Sequence, residues 1–119
     1  MDVRDTYLAA WNETDRAARD ALLAGGWAAT ATYTDPMTEA HGVDAVSDVI
    51  GAVHGQFPGL VFAPLGDVET HHDVTRFRWG LGLPGAAPAA VGSDVVTVDR
   101  DGRIATVVGF LDQVPGSAT

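Results

Sequence analysis

The spacing of apolar residues changes character about halfway along the chain. Over Val3–Asn12, Val3, Tyr7, Ala10 and Trp11 recur at helical spacing and predict a first helix. Thr14 or Asp15 can cap a second helix reaching about Leu23, which the pair Gly25 and Gly26 is expected to end. Between Trp27 and Asp35 the period drops to two. Trp27, Ala29, Ala31, Tyr33 and Asp35 share one face and threonines largely fill the other, a strand stopped by Pro36. Val46, Val49, Ile50 and Val53 mark a third helix over Val43–His54, closed by Pro58 and Gly59. From there the chain reads as strands: Leu60–Val68, Asp73–Leu83, Ala90–Val98 and Ile104–Leu111. Asp99–Gly102 forms a hairpin turn before the last of them. Helices first and a meander afterwards predict an α+β fold, with N-terminal helices packed on a curved antiparallel sheet that encloses an apolar pocket.

The last two strands, Asp94–Val98 and Ile104–Leu111, carry apolar residues on both faces. A sheet with one solvated face alternates more cleanly, so the outer face is expected to pair with a second copy in a homodimer. A length of 119 residues suits one domain spanning 1–119. The formal net charge is −9, lysine is absent, and the seven basic residues are all arginine. Such a chain repels phosphate backbones and anionic bilayers, which argues against nucleic acid or membrane as partner. Cysteine is absent too, which removes disulfides and thiolate chemistry. The N-terminus lacks the shape of a signal peptide and no apolar run spans a bilayer, so the expected location is cytoplasmic.

Several residues could carry chemistry, each with a plainer alternative. Asp35 shares its face with Tyr33 and Trp27. If that face lines the pocket, the carboxylate is suited to proton abstraction; otherwise it makes a turn before Pro36. Asp94 opens an apolar strand and must be protonated or well hydrogen-bonded there. It is then either a donor to a developing oxyanion or a structural pin. Tyr7 and Trp11, one helical turn apart, form either a core pair or part of the pocket wall. Phe77 and Trp79 alternate with Arg76 and Arg78. The aromatics are expected to face the pocket and the arginines the outer face; the opposite parity would bring an arginine inside and favour an acidic ligand. His71 and His72 are neighbours on a strand or turn and point apart, so no metal spacing emerges. His54 ends a helix, where an imidazolium suits the dipole, and His41 is expected in a loop at the pocket mouth.

Tyr7–Asn12 (YLAAWN), Ala31–Pro36 (ATYTDP), Phe57–Gly59 (FPG), Arg76–Trp79 (RFRW), Asp101–Ile104 (DGRI) and Gly109–Asp112 (GFLD) resemble the SnoaL-like branch of the nuclear transport factor 2-like superfamily. The resemblance covers nearly the whole chain. It implies a cone-shaped α+β fold opening into an apolar cavity, commonly as a dimer, and it leaves the activity open among cyclases, isomerases, dehydratases, epoxide hydrolases and non-catalytic binders. Against ketosteroid isomerase, Tyr7 falls at the hydrogen-bonding tyrosine, Asp35 at the aspartate base and Asp94 at the protonated aspartic acid. The match needs an insertion around Gly25 and Gly26. The aspartate that epoxide hydrolysis wants on the last strand is replaced here by Gly109 or a neighbour. The resemblance thus implies cofactor-free acid–base chemistry, isomerisation or cyclisation, on a small hydrophobic carbonyl compound. Asp35, Asp94 and Tyr7 would act, and Trp11, Trp27, Tyr33, Phe57, Phe62, Phe77, Trp79 and His41 would line the pocket, with no metal or other cofactor. The alternatives are a non-catalytic binding or dimerisation module, and a hydrolase or dehydratase on the same scaffold.

Overall fold

The computed structural model describes residues 2–114, so both ends of the expected 1–119 domain lie outside the described residues. Three helices, α1 (Val3–Asn12), α2 (Arg16–Gly26) and α3 (Val43–Gln56), pack against one six-stranded sheet. The strands are β1 (Trp27–Thr34), β2 (Glu39–His41), β3 (Val61–His71), β4 (Val74–Gly82), β5 (Ala90–Val98) and β6 (Ile104–Gln113), in the spatial order β2-β1-β6-β5-β4-β3. The expected α+β fold stands. Strands β3 to β6 form the antiparallel meander, but β1 runs parallel to β6, so the sheet is mixed. Among the described residues no helix is long and apolar enough to cross a membrane.

Local chemistry sets the helix ends. Asp2 caps α1 by accepting from Asp5 N at 2.9 Å while Asp5 accepts from Asp2 N at 3.1 Å, a reciprocal capping box. Asp15 caps α2 through Ala18 N at 2.9 Å. Gly25 and Gly26 do not stop α2 after Leu23 as expected; they are its last two residues. A side chain at Gly26 would meet Thr6 Cγ2 at 2.6 Å, so the glycine serves the close approach of α2 to α1. Strand β2 was not expected at all. It pairs with β1 over three residues, too few for alternation to register in the sequence.

Helix α1 positions the later site. Asn12 is hydrogen-bonded to both backbone groups of Phe62 on β3, giving at 2.9 Å and accepting at 2.7 Å. Arg4 donates at 2.9 Å to Gly66 O and at 3.3 Å to Leu65 O, where the β3–β4 register shifts. The helix is thereby fixed at both ends along the edge strand. Its inward face delivers Tyr7, Leu8, Ala10 and Trp11 to a core that includes Trp27, Ile50, Phe77, Val96 and Val107.

Behind this layer, a buried arginine joins α2 to α3. Arg19 is 3% exposed. It donates at 2.9 Å to Ser47 Oγ and at 2.9 Å to Glu13 O, and Ser47 in turn donates at 2.6 Å to Asp20. That bond is the main reason Asp20 is held below the usual carboxylate range. Ser47→Ala strands a buried guanidinium N–H, and the expected cost is about 1–3 kcal/mol of stability. A urea titration should show the midpoint falling with an unchanged slope; an unmoved midpoint would show that Arg19 finds another acceptor.

Candidate active site

Between α1, α3 and the inner face of the sheet lies a cavity of about 410 Å³. Tyr7 and Trp11 from α1, Tyr33 from β1, Phe57 after α3, Phe62 from β3 and Trp79 from β4 supply its aromatic walls. Trp11 bridges the set, with ring centroids 5.5 Å from Tyr33 and 5.3 Å from Phe62, and Phe62 stands edge-on to Trp79 at 5.1 Å. Asp35 and Asp94 are the carboxyl groups of the lining, and no arginine, lysine or histidine joins them.

All three residues expected to act reach this cavity, as do Trp11, Tyr33, Phe57, Phe62 and Trp79. Three expected lining residues do not. Trp27 and Phe77 face inward, but Tyr7 stands between them and the opening. It stacks on Trp27 at 5.7 Å and meets Phe77 edge-on at 5.2 Å, and both are core residues at 1% exposure. His41 is no loop residue. It sits on the exposed edge strand β2 and pairs with Glu39 at 2.9 Å. Arg76 and Arg78 take the outer face as expected, near Glu69 at 2.6 Å and Asp112 at 3.6 Å respectively. The reading in which an arginine enters the pocket is therefore set aside. His71 ends β3 and His72 lies in the turn to β4 with a φ of 51°, both exposed. The sequence reading missed the rim, where Met37 and Val114 are exposed around the mouth, and Val53 of α3 within it. Among the described residues no three carboxylates or histidines converge to hold a metal ion.

The two carboxyls occupy opposite environments. Asp35 both lines the cavity and makes the turn before Pro36. Its Oδ1 makes the turn into β2, accepting from Met37 N at 2.9 Å and Thr38 N at 2.8 Å. Its Oδ2 accepts from the Tyr33 hydroxyl at 2.6 Å. The side chain is half-buried and its carboxyl is supplied with three donors. Asp94 is 1% exposed, and burial pushes it up to about 6. The hydrogen bond from Trp79 and the neighbouring Tyr7 hydroxyl oppose that rise, and the charges of Asp35 and Asp112 add to it. Tyr7 itself is raised well above the ordinary tyrosine range, first by burial and then by the Asp94 charge, so it stays a neutral donor. Tyr33 is likewise raised, by burial and by its bond to Asp35.

Glycine makes this arrangement possible. Asp94 on β5 faces Gly109 on β6 in register. A Cβ at Gly109 would lie 2.6 Å from Asp94 Oδ1 and 3.6 Å from Asp35 Cβ, so both carboxyl side chains border the space that this residue leaves free. One strand over, Trp79 faces Gly92, where any Cβ would overlap the indole. The ring crosses β5 over Gly92, and its Nε1 donates at 2.9 Å to Asp94 Oδ2.

The raised Asp94 ties stability to pH. The folded chain keeps this proton to about pH 6, whereas an unfolded aspartate releases it near 4. Between those values the native state binds more protons, so stability falls as pH rises through the window and stays lower above it. Asp94→Asn removes that penalty while leaving an acceptor for the indole. The variant should exceed the parent by roughly 2–3 kcal/mol at pH 8 and match it near pH 4. Denaturant melts at the two pH values would refute this if the difference were constant.

The profile of the SnoaL-like domain matches residues 3–107. No curated protein matches the chain. Among solved structures, a candidate isomerase of the SnoaL-like family from Agrobacterium tumefaciens is 41% identical, covers 92% of this chain and 93% of its own, and superposes with a TM-score of 0.87. A candidate polyketide cyclase from Sinorhizobium meliloti, 22% identical over 92% of this chain and 94% of its own, has a TM-score of 0.70. A protein of ketosteroid isomerase-like fold from Catenulispora acidiphila, solved in complex with trimethylamine, is 18% identical over 91% and 83% of the two chains, with a TM-score of 0.71. The last two share the nuclear transport factor 2-like fold; the first also shares the family, and the chain belongs to the SnoaL-like family.

Proposed function

We propose that the chain is a cofactor-free acid–base enzyme, an isomerase or cyclase acting on a small hydrophobic molecule that carries a carbonyl group. One observation carries the reading: two carboxyl groups share an apolar cavity, one half-buried and accepting from three donors, the other buried and pushed up to about 6. Such divergence separates a base from an acid. Asp35 would take a proton from the carbon beside the carbonyl. Asp94 in its neutral form, with the Tyr7 hydroxyl beside it, would donate to the enolate oxygen as charge develops there. Entry of an apolar ligand displaces water from the cavity and favours neutral Asp94 further. A lining with two carboxyls and no cationic side chain disfavours acidic substrates.

The outer face of the sheet is part of the same proposal, as the seat of a second copy. Val95 and Val108 are adjacent in register there, with Arg76 beyond Val95, and Phe110 lies next along β6. Val108 is 43% exposed and Phe110 55% exposed. The flanking pairs Glu69–Arg76 and Asp112–Arg78 supply charges of both signs around this apolar centre. Val108→Glu should convert a dimer to a monomer in analytical ultracentrifugation; a parent protein that sediments as a monomer would refute the assignment.

Turnover is read by hydrogen–deuterium exchange beside the carbonyl in a panel of hydrophobic and β,γ-unsaturated ketones, followed by NMR. The parent should catalyse exchange. Asp35→Asn should lose roughly 10²–10⁴-fold in rate with ligand affinity kept. Because Asp94 must be neutral, kcat/KM should fall as pH rises through about 6. A rate that rises through that value would reverse the roles of the two carboxyls. Tight ketone binding without exchange at any carbon would identify a binding module instead.

A further inference from the structure

Trp79 does more than form a wall of the cavity. Its Nε1 donates to Asp94 Oδ2 at 2.9 Å. An indole N–H can only donate, so an oxygen that accepts from it has no room for a proton pointing the same way. The other oxygen, Oδ1, lies against Gly109, at the point that Asp35 also borders. We propose that Trp79 is a positioning residue that places the Asp94 proton on Oδ1, the oxygen turned toward Asp35, so that acid and base address the same part of the bound molecule. This rests on the reading of Asp94 as the acid.

The sheet is built for this contact. Trp79 can lie across β5 only because position 92 lacks a side chain, and Asp94 can lie against β6 only because position 109 lacks one. The remaining groups around Asp94 are Tyr7 from α1, Tyr33 from β1, Asp35 in the turn after β1, and Asp112 on β6. The two carboxyls can act as acceptor or, once protonated, as donor, and the two tyrosine hydroxyls can rotate to donate or accept a hydrogen bond. The indole is the one partner whose polarity is fixed, so it decides which oxygen remains available. Its bond favours the ionised carboxylate and offsets part of the effect of burial.

The test follows the Asp94 carboxyl carbon by NMR through a pH titration of ¹³C-aspartate-labelled protein. Trp79→Phe keeps an aromatic wall and removes the N–H. The Asp94 midpoint should move up by about one pH unit. In the exchange assay the descending limb of the pH profile should move with it, and kcat should fall roughly tenfold with little change in KM, because the proton is no longer confined to Oδ1. Benzothienylalanine at position 79 has the outline of tryptophan with sulfur in place of the N–H, and it should give the same upward shift even if the smaller ring of Trp79→Phe lets the cavity collapse. A midpoint unmoved by benzothienylalanine overturns the proposal, as does a shift seen with phenylalanine alone, which would be an effect of packing. The titration needs no turnover. Its failure would therefore leave the acid–base reading standing, and a protein that shows the shift but no proton exchange would overturn that reading instead.

Discussion

A carboxyl group beneath an apolar ceiling must find its hydrogen bonds already in place, and meeting that requirement at Asp94 constrains four separate elements. The group lies at 1% exposure on a strand whose inward neighbours are otherwise apolar or glycine. Leaving it without partners would cost several kcal/mol. The Trp79 indole must therefore reach it from β4, the Tyr7 hydroxyl must come from α1, and both β5 and β6 must carry glycine where the two side chains cross. Helix α1 cannot drift, because its tyrosine would leave the carboxyl. Its attachments to β3 through Asn12 and Arg4 hold that position from both ends.

The same demand accounts for the division of the aromatic residues. Tyr7 packs on Trp27 and Phe77 on one side and faces the cavity on the other. The rings behind it give α1 a rigid seat, and the rings in front leave space. A cavity inside a well-packed domain is costly unless its walls are held apart. Here the edge-on contacts among Trp11, Phe62 and Trp79 hold them, each ring propped by the next rather than by whatever fills the opening.

Much of this was legible in the sequence, and the gaps have physical causes. The bounds of α1 and β5 follow from periodicity alone, and alternation correctly assigned Arg76 and Arg78 to the outer face. Alternation identifies a face, however, and not how far along that face a cavity extends. Trp27 and Phe77 were placed in the pocket for that reason and lie behind Tyr7 instead. Likewise, the Tyr33–Asp35 bond could be inferred, since residues two apart on a strand share a face. The Trp79–Asp94 bond could not, because it depends on a register that pairs Trp79 with Gly92 and Asp94 with Gly109. Short β2, which carries His41 away from the mouth, falls below the length at which a strand can be recognised.

At Asp35 a local requirement and the role proposed for it are met by one side chain. A strand-end aspartate before proline makes a turn, and a base in a pocket needs a fixed orientation. At Asp35 the turn supplies the orientation. Two backbone N–H groups hold Oδ1, which leaves Oδ2 directed along the strand face toward Tyr33 and the cavity. Asp94 reaches the same end by the opposite route, held by an indole from the neighbouring strand with the Tyr7 phenol beside it instead of by its own turn. Asp35 finds two of its donors in its own turn; Asp94 resists ionisation because burial leaves it little besides those two side chains. The difference between them is set by the fold before any ligand arrives, and that difference is what acid–base chemistry in a single cavity requires.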